Sequence, residues 1–86
     1  MRWRRSPLVL WRAAPGYLVL GTVSGHTIEV EGSGADVWAR LVSWITQEEV
    51  TAALVAQYGA EARVVSLDVL SLLEALGEAG YVDRDD

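Results

Sequence analysis

The spacing of apolar positions changes roughly a third of the way along the chain, from a period typical of strands to one typical of helices. Three strand-like runs come first, at residues 8–11, 17–23 and 27–31. The third run alternates strictly between polar and apolar residues, which is typical of a strand with one buried and one solvated face. It predicts that Ile28 and Val30 face the core.

Turn-forming residues separate the three runs and predict two hairpins. Pro15-Gly16 lies between the first two runs and suits a type II turn, because proline presets φ and glycine accepts a positive φ. Ser24-Gly25 lies between the second and third runs. We therefore expect a small antiparallel sheet whose third strand leads into helices and keeps a free edge.

Helical spacing follows the third run and predicts three helices. The first is expected to begin at Ser33, with Asp36 three residues later in the position of a capping-box acid. Thr46 and Glu49 form a standard capping box for the second helix, and Gly59 is its natural C-terminal stop.

The third helix has a wider apolar surface than packing on a core requires. Ser66 is its expected N-cap, and Asp68 falls in the first turn, where the helix dipole favours an anion. The apolar arc spans about 220°, whereas a surface helix needs roughly 100°. One stripe seats the helix on the core and contains Val69, Leu73 and Leu76. The adjoining stripe contains Leu72, Ala75 and Ala79. Either the sheet covers this second stripe, or the stripe forms the floor of a groove beside the third strand, with room for a guest chain.

Length and composition predict one small domain. It is expected to span residues 1–86, with an ordered core at about residues 7–82 and disordered ends. The chain has no cysteine, which excludes a disulfide framework and a thiolate metal site. No apolar stretch approaches the ~18 residues of a membrane span, and none suits a signal peptide. A cytoplasmic protein without membrane contact is expected.

Charge is distributed unevenly along the chain, whose formal net charge is −5. Residues 1–28 contain four arginines and no acid, and all twelve acids follow them. Arg2, Arg4 and Arg5 beside Trp3 could contact nucleic acid or anionic lipid, but we expect a disordered, solvated terminus. The acidic helical part argues against docking on phosphate, because that requires a basic face.

Three segments follow one another along the predicted helices. The first helix contains Ala35, Trp38 and Leu41. The second contains Thr46, Glu49, Val50, Leu54, Tyr58 and Gly59. The closing segment contains Asp68, Val69, Leu72, Leu73, Leu76, Ala79, Gly80, Tyr81 and Val82. In this order and spacing, the segments resemble those of the PqqD-like family over about residues 8–82. The chain departs from the family at two places. It lacks the glycine-containing turn after the first helix, and it lacks the leucine and asparagine at the end of the third strand.

The resemblance implies a RiPP recognition element of the α+β class, with a winged-helix-like, three-stranded antiparallel sheet followed by three helices. Such domains bind the leader of a ribosomally made precursor peptide as a fourth strand, between the third strand and the third helix. The implied site residues are Thr27, Ile28, Glu29, Val30, Glu31, Asp68, Leu72, Ala75, Leu76 and Ala79. Main-chain groups of the strand would supply affinity, and the apolar stripe would supply selectivity.

The three acids of this implied site have two interpretations. Asp68, Glu29 and Glu31 could pair with a basic or hydroxyl group on the guest. Alternatively, Asp68 is a partner of the helix dipole, and the two glutamates belong to a solvated strand face. The strict alternation of the third strand places Glu29 and Glu31 in solvent in either case.

The resemblance also implies the partners. A free-standing protein of this size and arginine-rich composition looks most like the leader-binding protein of lasso-peptide clusters, which presents its precursor to a leader peptidase. The alternative is a PqqD-type peptide chaperone for a radical enzyme. Neither role implies a cofactor or a metal. Lasso leaders commonly carry a tyrosine and a proline for the binding pocket.

Other classes of function find less support in the residues. His26 is the single histidine and follows a turn glycine, so we expect neither catalysis nor a metal site. A winged-helix DNA-binding protein would need a cation on its recognition helix, and the second and third predicted helices contain no arginine. The sequence does not exclude a homodimer that uses the same free sheet edge.

Four tryptophans are many for a chain of this length. Trp38 has the helical position of a core residue. Trp11 and Trp44 either pack in the ordinary way or mark a surface that contacts a partner.

Overall fold

The computed structural model describes residues 1–85, and within them the chain forms six strands and three helices. The strands are β1 (Arg2–Arg5), β2 (Leu10–Ala14), β3 (Tyr17–Gly21), β4 (Thr27–Glu31), β5 (Ile45–Thr46) and β6 (Val82–Asp85). The helices are α1 (Ser33–Arg40), α2 (Gln47–Tyr58) and α3 (Ala62–Glu78). The α+β class, with a three-stranded antiparallel sheet followed by three helices, is confirmed.

The predicted sheet has the strand order β2-β3-β4, with both pairs antiparallel. Ala14 pairs with Tyr17 across Pro15-Gly16, and Gly16 has a φ of 83°, as a type II turn requires. The third strand has its predicted bounds. The second strand ends at Gly21 because the following residues form a turn, in which the Thr22 amide donates to the His26 carbonyl at 2.9 Å.

A second three-stranded sheet, with the order β5-β1-β6, was not expected from the sequence. The prediction of a disordered N-terminus is wrong, because Arg2–Arg5 pairs with β5 on one side and with β6 on the other. Trp3 is only 1% exposed and belongs to the core. Burial of this indole fixes the arginine-rich segment, and the ordered domain therefore extends beyond residues 7–82 at both ends. Asp86 lies outside the described residues.

Helix α1 begins at Ser33, as predicted, but its expected capping box is absent, and the predicted start of α3 is wrong. Gly32 precedes α1 in the N-cap position with a φ of 58°, and no side chain caps this helix. Asp36 instead accepts a hydrogen bond from the Tyr58 hydroxyl. Helix α3 begins at Ala62, several residues before the predicted N-cap. Ser66 lies inside the helix, where its hydroxyl accepts a hydrogen bond from Gln47 Nε2 at 3.1 Å.

The earlier start of α3 changes two interpretations. Asp68 lies beyond the first turn, so it is not the expected partner of the helix N-terminus. The helix also contains Arg63, so the expectation of a third helix without arginine is wrong. The capping box of α2 is confirmed, because the Glu49 amide donates to Thr46 Oγ1 at 3.1 Å. Gly59 ends α2 in the left-handed conformation, as predicted.

The core lies between the β2-β3-β4 sheet and the helices, and the second sheet closes one end of it. Its largest fully buried side chains are Trp3, Trp38, Leu20, Leu41, Leu73 and Val50. Helix α3 contributes Val69, Leu73 and Leu76, the stripe that the sequence predicts. Trp38 is confirmed as a core residue, and Tyr81 and Val82 pack back onto the domain.

Candidate functional site

Strand β4 is an edge strand of the β2-β3-β4 sheet. It pairs with β3 alone, from Tyr17↔Glu31 to Gly21↔Thr27, and its other side has no strand partner among residues 1–85. The main-chain N–H and C=O groups along this side are therefore available to an added strand. The predicted free edge at the third strand of the sheet is present.

The core-side face of β4 is only partly covered. Ile28 pairs with the fully buried Leu20, so both side chains lie on the face that points to the core. Val30 is 8% exposed, whereas Ile28 is 37% exposed. Both side chains lie on the predicted face, but only Val30 is buried. The core-side face lies open at Ile28, next to the free edge.

Two contacts place Leu72 of α3, and Tyr81 after it, near opposite ends of β4. Near one end, a Cβ placed on Gly34 would lie 3.7 Å from Leu72 Cδ2 and 2.5 Å from Val30 Cγ1. At the other end, the Tyr81 hydroxyl donates to the His26 carbonyl at 3.5 Å. These contacts place Leu72 near the C-terminal end of β4 and Tyr81 near the residue that precedes β4.

The predicted second stripe of α3 starts at Leu72, the residue near Gly34. Leu72 is half-buried, whereas Ala75 and Ala79 are exposed; their spacing places all three on adjoining positions of one helix face. We call the space between β4 and this face the strand–helix slot. Leu76 is 3% exposed and belongs to the core, so it supports the slot from below and is not at its surface.

A separate cavity of about 370 Å³ opens beyond the C-terminal end of β4. We call it the apolar pocket. Its lining includes Gly32, Val37, Leu54, Tyr58, Asp68 and Leu72. Leu72 therefore connects the pocket with the strand–helix slot. Sequence reasoning found Asp68 and Leu72 but missed the contribution of α2, because Leu54 and Tyr58 were interpreted only as members of a helical stripe.

Acidic groups surround both parts of the site. Glu29 and Glu31 are exposed on the solvent face of β4, and Asp68 is exposed at the apolar pocket. The hydrogen bond to Asp36 raises the pKa of Tyr58, which keeps the phenol protonated and its hydroxyl donating. No arginine lies among the residues that line the pocket.

The described part of the chain contains neither a metal-binding cluster nor a membrane-spanning helix. Within residues 1–85, no group of three or more His, Asp or Glu side chains is placed to hold a metal ion. None of the helices described is long and apolar enough to cross a bilayer.

The fold and the open edge of β4 define a small α+β domain to which an extended peptide could add as a further strand. Residues 16–82 match the family described as coenzyme PQQ synthesis protein D (PqqD), and the chain therefore belongs to the PqqD family. The predicted resemblance is confirmed. No curated protein matches the chain in sequence.

Solved structures with the same fold include two proteins in complex with leader peptides. TbiB1, in complex with the TbiA(beta) leader peptide, is 21% identical with a TM-score of 0.85, over 96% of this chain and 98% of that chain. A lasso peptide synthetase B1 complexed with a leader peptide is 21% identical with a TM-score of 0.83, over 98% of this chain and 100% of that chain.

A third structure is a PqqD protein. The PqqD truncation of Methylobacterium extorquens PqqCD, described as a functional and stand-alone RiPP recognition element, was solved by solution NMR. It is 19% identical with a TM-score of 0.81, over 96% of this chain and 89% of that chain. At these identities, the structural matches establish the shared fold.

Proposed function

We propose that this protein binds the leader segment of a ribosomally made precursor peptide as an added strand on β4. The observation that carries the proposal is Ile28, an apolar side chain on the core-side face that is 37% exposed beside an unpaired strand edge. An added strand would pair with the main chain of β4 and cover Ile28 at the same time. Two of the related structures contain leader peptides, which supports this interpretation.

The two faces of the bound strand would meet different chemistry. Because side chains alternate along a strand, every second leader residue would enter the strand–helix slot and contact Ile28, Ala75 or Ala79. The small alanine side chains leave room there for larger guest side chains. The intervening leader residues would lie beside Glu29 and Glu31, which favour basic or hydroxyl-bearing neighbours across the strand pair.

The apolar pocket would take one large side chain of the leader. Its volume of about 370 Å³ is ample for an aromatic ring or a proline, and its walls include Val37, Leu54 and Leu72. A side chain placed there would be desolvated against several apolar groups, which is the environment of binding hot spots. Asp68 would accept a hydrogen bond from a polar group at the edge of that side chain.

Binding of this kind makes the protein a non-catalytic carrier that delivers its peptide to a processing enzyme. We assign it to lasso-peptide biosynthesis, with a leader peptidase as the receiving enzyme, because one of the matching structures is a lasso peptide synthetase B1 complexed with a leader peptide. The PqqD match keeps a peptide chaperone for a radical enzyme as the alternative. Catalysis of the peptide modification is left to the partner in both cases.

A fluorescence-polarisation titration tests this proposal. The labelled leader of the precursor encoded beside this gene is titrated with the wild-type protein, Leu72→Arg and the control Leu67→Arg. Leu67 is an exposed residue of α3 that does not line the pocket. We expect Leu72→Arg to weaken binding about tenfold or more, which corresponds to roughly 1.4 kcal/mol. Leu67→Arg should bind like the wild type.

Circular dichroism shows whether both variants keep the fold. A scrambled leader should not bind any of the three proteins. Equal affinity of Leu72→Arg and the wild type, with both folded, would place the leader elsewhere on the surface. Equal binding of the leader and its scramble would contradict recognition altogether.

A further inference from the structure

The opposite edge of the same sheet is also open. Strand β2 pairs with β3 alone, and its outer side has no strand partner within residues 1–85. Large apolar side chains are exposed at and beside this edge. Leu8 is 68% exposed, Leu10 is 74% exposed, and Trp11 is 48% exposed. Nothing in the core explains why three large apolar side chains of one short segment should face solvent.

A stacked arginine lies next to this edge. The guanidinium carbon of Arg5 is 4.8 Å from the ring centroid of Trp11 and 5.2 Å from that of Trp38. Arg5 Nε donates to the Trp38 carbonyl at 2.9 Å, which fixes the orientation of the guanidinium. The two rings also contact each other edge to face, with centroids 6.4 Å apart.

Arg5 differs from its neighbours in its ion pairing. Arg2 pairs with Asp85 and Arg4 pairs with Asp83, whereas Arg5 has no carboxylate partner in the described part of the chain. Partial burial lowers the pKa of Arg5 from its usual value, yet a guanidinium stays charged at neutral pH. An oriented guanidinium between two indoles, without a counter-ion, can donate hydrogen bonds to a carboxylate from another chain.

A cavity joins these features. It measures about 280 Å³ and lies between the β2–β3 hairpin and α1, with Arg5, Trp11, Tyr17, Ala35 and Trp38 in its wall. Its lining contains no acidic residue. Arg12 on β2 adds a second positive charge. The β2 edge is therefore apolar and basic, whereas the β4 edge carries Glu29 and Glu31.

We propose that the β2 edge is a second docking surface, which binds an acidic segment of the processing enzyme with a large apolar anchor. The segment would add to β2 through its main chain. Its apolar side chain would enter the 280 Å³ cavity, and its carboxylate would pair with the free side of the Arg5 guanidinium. The proposal rests on the proposed function for the identity of the partner enzyme.

Charge and symmetry favour this occupant over the others. A leader that suits the acidic β4 edge would not suit Arg5 and Arg12. A second copy could place its own β4 edge on β2, but such head-to-tail pairing would cover the leader site. An acidic segment of a different protein satisfies the charges and leaves β4 free, so that leader and enzyme could bind at once.

The test uses the full chain saturated with labelled leader, and the probe is the processing enzyme encoded beside the precursor. Variants are Leu10→Glu, which adds a negative charge to the edge, and Arg5→Lys, which keeps the charge but removes the planar fork. Val64→Glu is the control, because Val64 is exposed on α3, away from β2. We expect both edge variants to weaken enzyme binding at least tenfold, with leader affinity unchanged and the control like the wild type.

The alternative outcomes are distinct. Enzyme binding that both edge variants leave unchanged would overturn the proposal, and so would an enzyme that does not bind the wild-type complex. Self-association that increases with concentration and is lost in Leu10→Glu would assign the edge to a second copy instead. Leader binding is measured independently, by the polarisation of the labelled leader. Failure of the leader to bind would refute the proposed function.

Discussion

Gly34 sets how closely α1 approaches β4 and α3. A Cβ at this position would lie 2.5 Å from Val30 Cγ1. Valine is branched at Cβ and strongly restricted at χ1, so its methyl group cannot easily swing away. The absence of a side chain at Gly34 therefore lets the helix N-terminus pack at the junction of the strand–helix slot and the apolar pocket.

Gly34→Ala should destabilise the protein, although alanine is the better helix former. The propensity gain is at most ~1 kcal/mol, whereas overpacking costs about 1–3 kcal/mol. We expect a net loss of about 1 kcal/mol in urea denaturation. The double variant Gly34→Ala/Val30→Ala supplies the control. Without the Val30 methyl groups, the alanine at position 34 has room, and Gly34→Ala should stabilise the Val30→Ala protein. Additive effects of the two substitutions would contradict the overlap.

Tyr58 and Asp36 provide a residue-scale dependence on pH. The hydrogen bond to Asp36 raises the pKa of Tyr58 above its usual value near 10. A raised folded-state pKa means that the contribution to stability is present below the unfolded-state pKa and is lost as pH rises through the folded-state pKa. The interaction is therefore complete at neutral pH and is lost as pH rises through the raised pKa of Tyr58.

An ultraviolet titration of tyrosinate formation checks this behaviour. In Asp36→Asn, the tyrosine absorbance change should move to lower pH than in the wild type, because the carboxylate that favours the neutral phenol is gone. When Tyr58→Phe is added to both proteins, the difference between their titrations should disappear. An unchanged titration in Asp36→Asn would show that the two groups do not interact in solution.

At the scale of elements, the second sheet depends on one side chain of β1. Trp3 is 1% exposed, and its ring lies against α3, where a Cβ at Gly77 would be 3.3 Å from Trp3 Cζ3. The ion pairs Arg2–Asp85 and Arg4–Asp83 are exposed and worth ~0–1 kcal/mol each. Apolar burial, and not charge, therefore holds β1 in place.

Trp3→Ala should accordingly cost about 3–5 kcal/mol of unfolding free energy, a large part of the stability of a domain this small. Trp44→Ala is the matched control, because Trp44 is only partly buried and stacks on Arg4 at 4.5 Å. It should cost roughly 1 kcal/mol. Chemical denaturation measures both. Equal losses for the two substitutions would contradict the assignment of Trp3 to the core.

The sequence predicted the elements whose signals are local. The alternation of Thr27–Glu31 indicated the bounds of β4, and the Thr46–Glu49 capping box placed the start of α2. Strand β1 was missed because its partners, β5 and β6, are remote in sequence and its only core residue stands among arginines. The start of α3 was missed because Ser66 hydrogen-bonds to Gln47 rather than capping the helix.

The candidate site was predictable in outline. The surplus apolar stripe on α3 indicated Leu72, Ala75 and Ala79, and in the structure Leu72 is half-buried and the two alanines are exposed. The partial exposure of Ile28 was not predictable, because strand alternation reports the face of a residue but not whether anything covers that face. The apolar pocket forms where α2 and α3 pack together. The periodicity within one helix does not indicate how that helix packs against another.

At the scale of the whole molecule, the domain is a thin slab that measures 37 × 33 × 18 Å. A slab of this thickness contains little more than one sheet and one layer of helices. Both edges of the β2-β3-β4 sheet therefore reach the surface, one acidic and one basic.

The proposed strand addition should stabilise the whole domain. A ligand at a hundredfold excess over its Kd adds about 2.7 kcal/mol to the unfolding free energy. For a domain of this size, that corresponds to a rise in Tm of about 10 °C or more. Differential scanning fluorimetry with the leader measures the shift, and the scrambled leader is the control. A Tm that does not depend on leader concentration would contradict binding to the folded state.

The pairing of β1 with β6 has a consequence for how the domain can be attached to other proteins. Arg2 and Asp85 are neighbours across the two strands, about 5 Å apart at their Cα atoms. A host polypeptide could therefore enter and leave the domain at one place, as at a loop tip, without separating its own flanking segments. The fold is suited to insertion as a cassette within a larger enzyme, and a circular permutant joined at this point should retain both open edges.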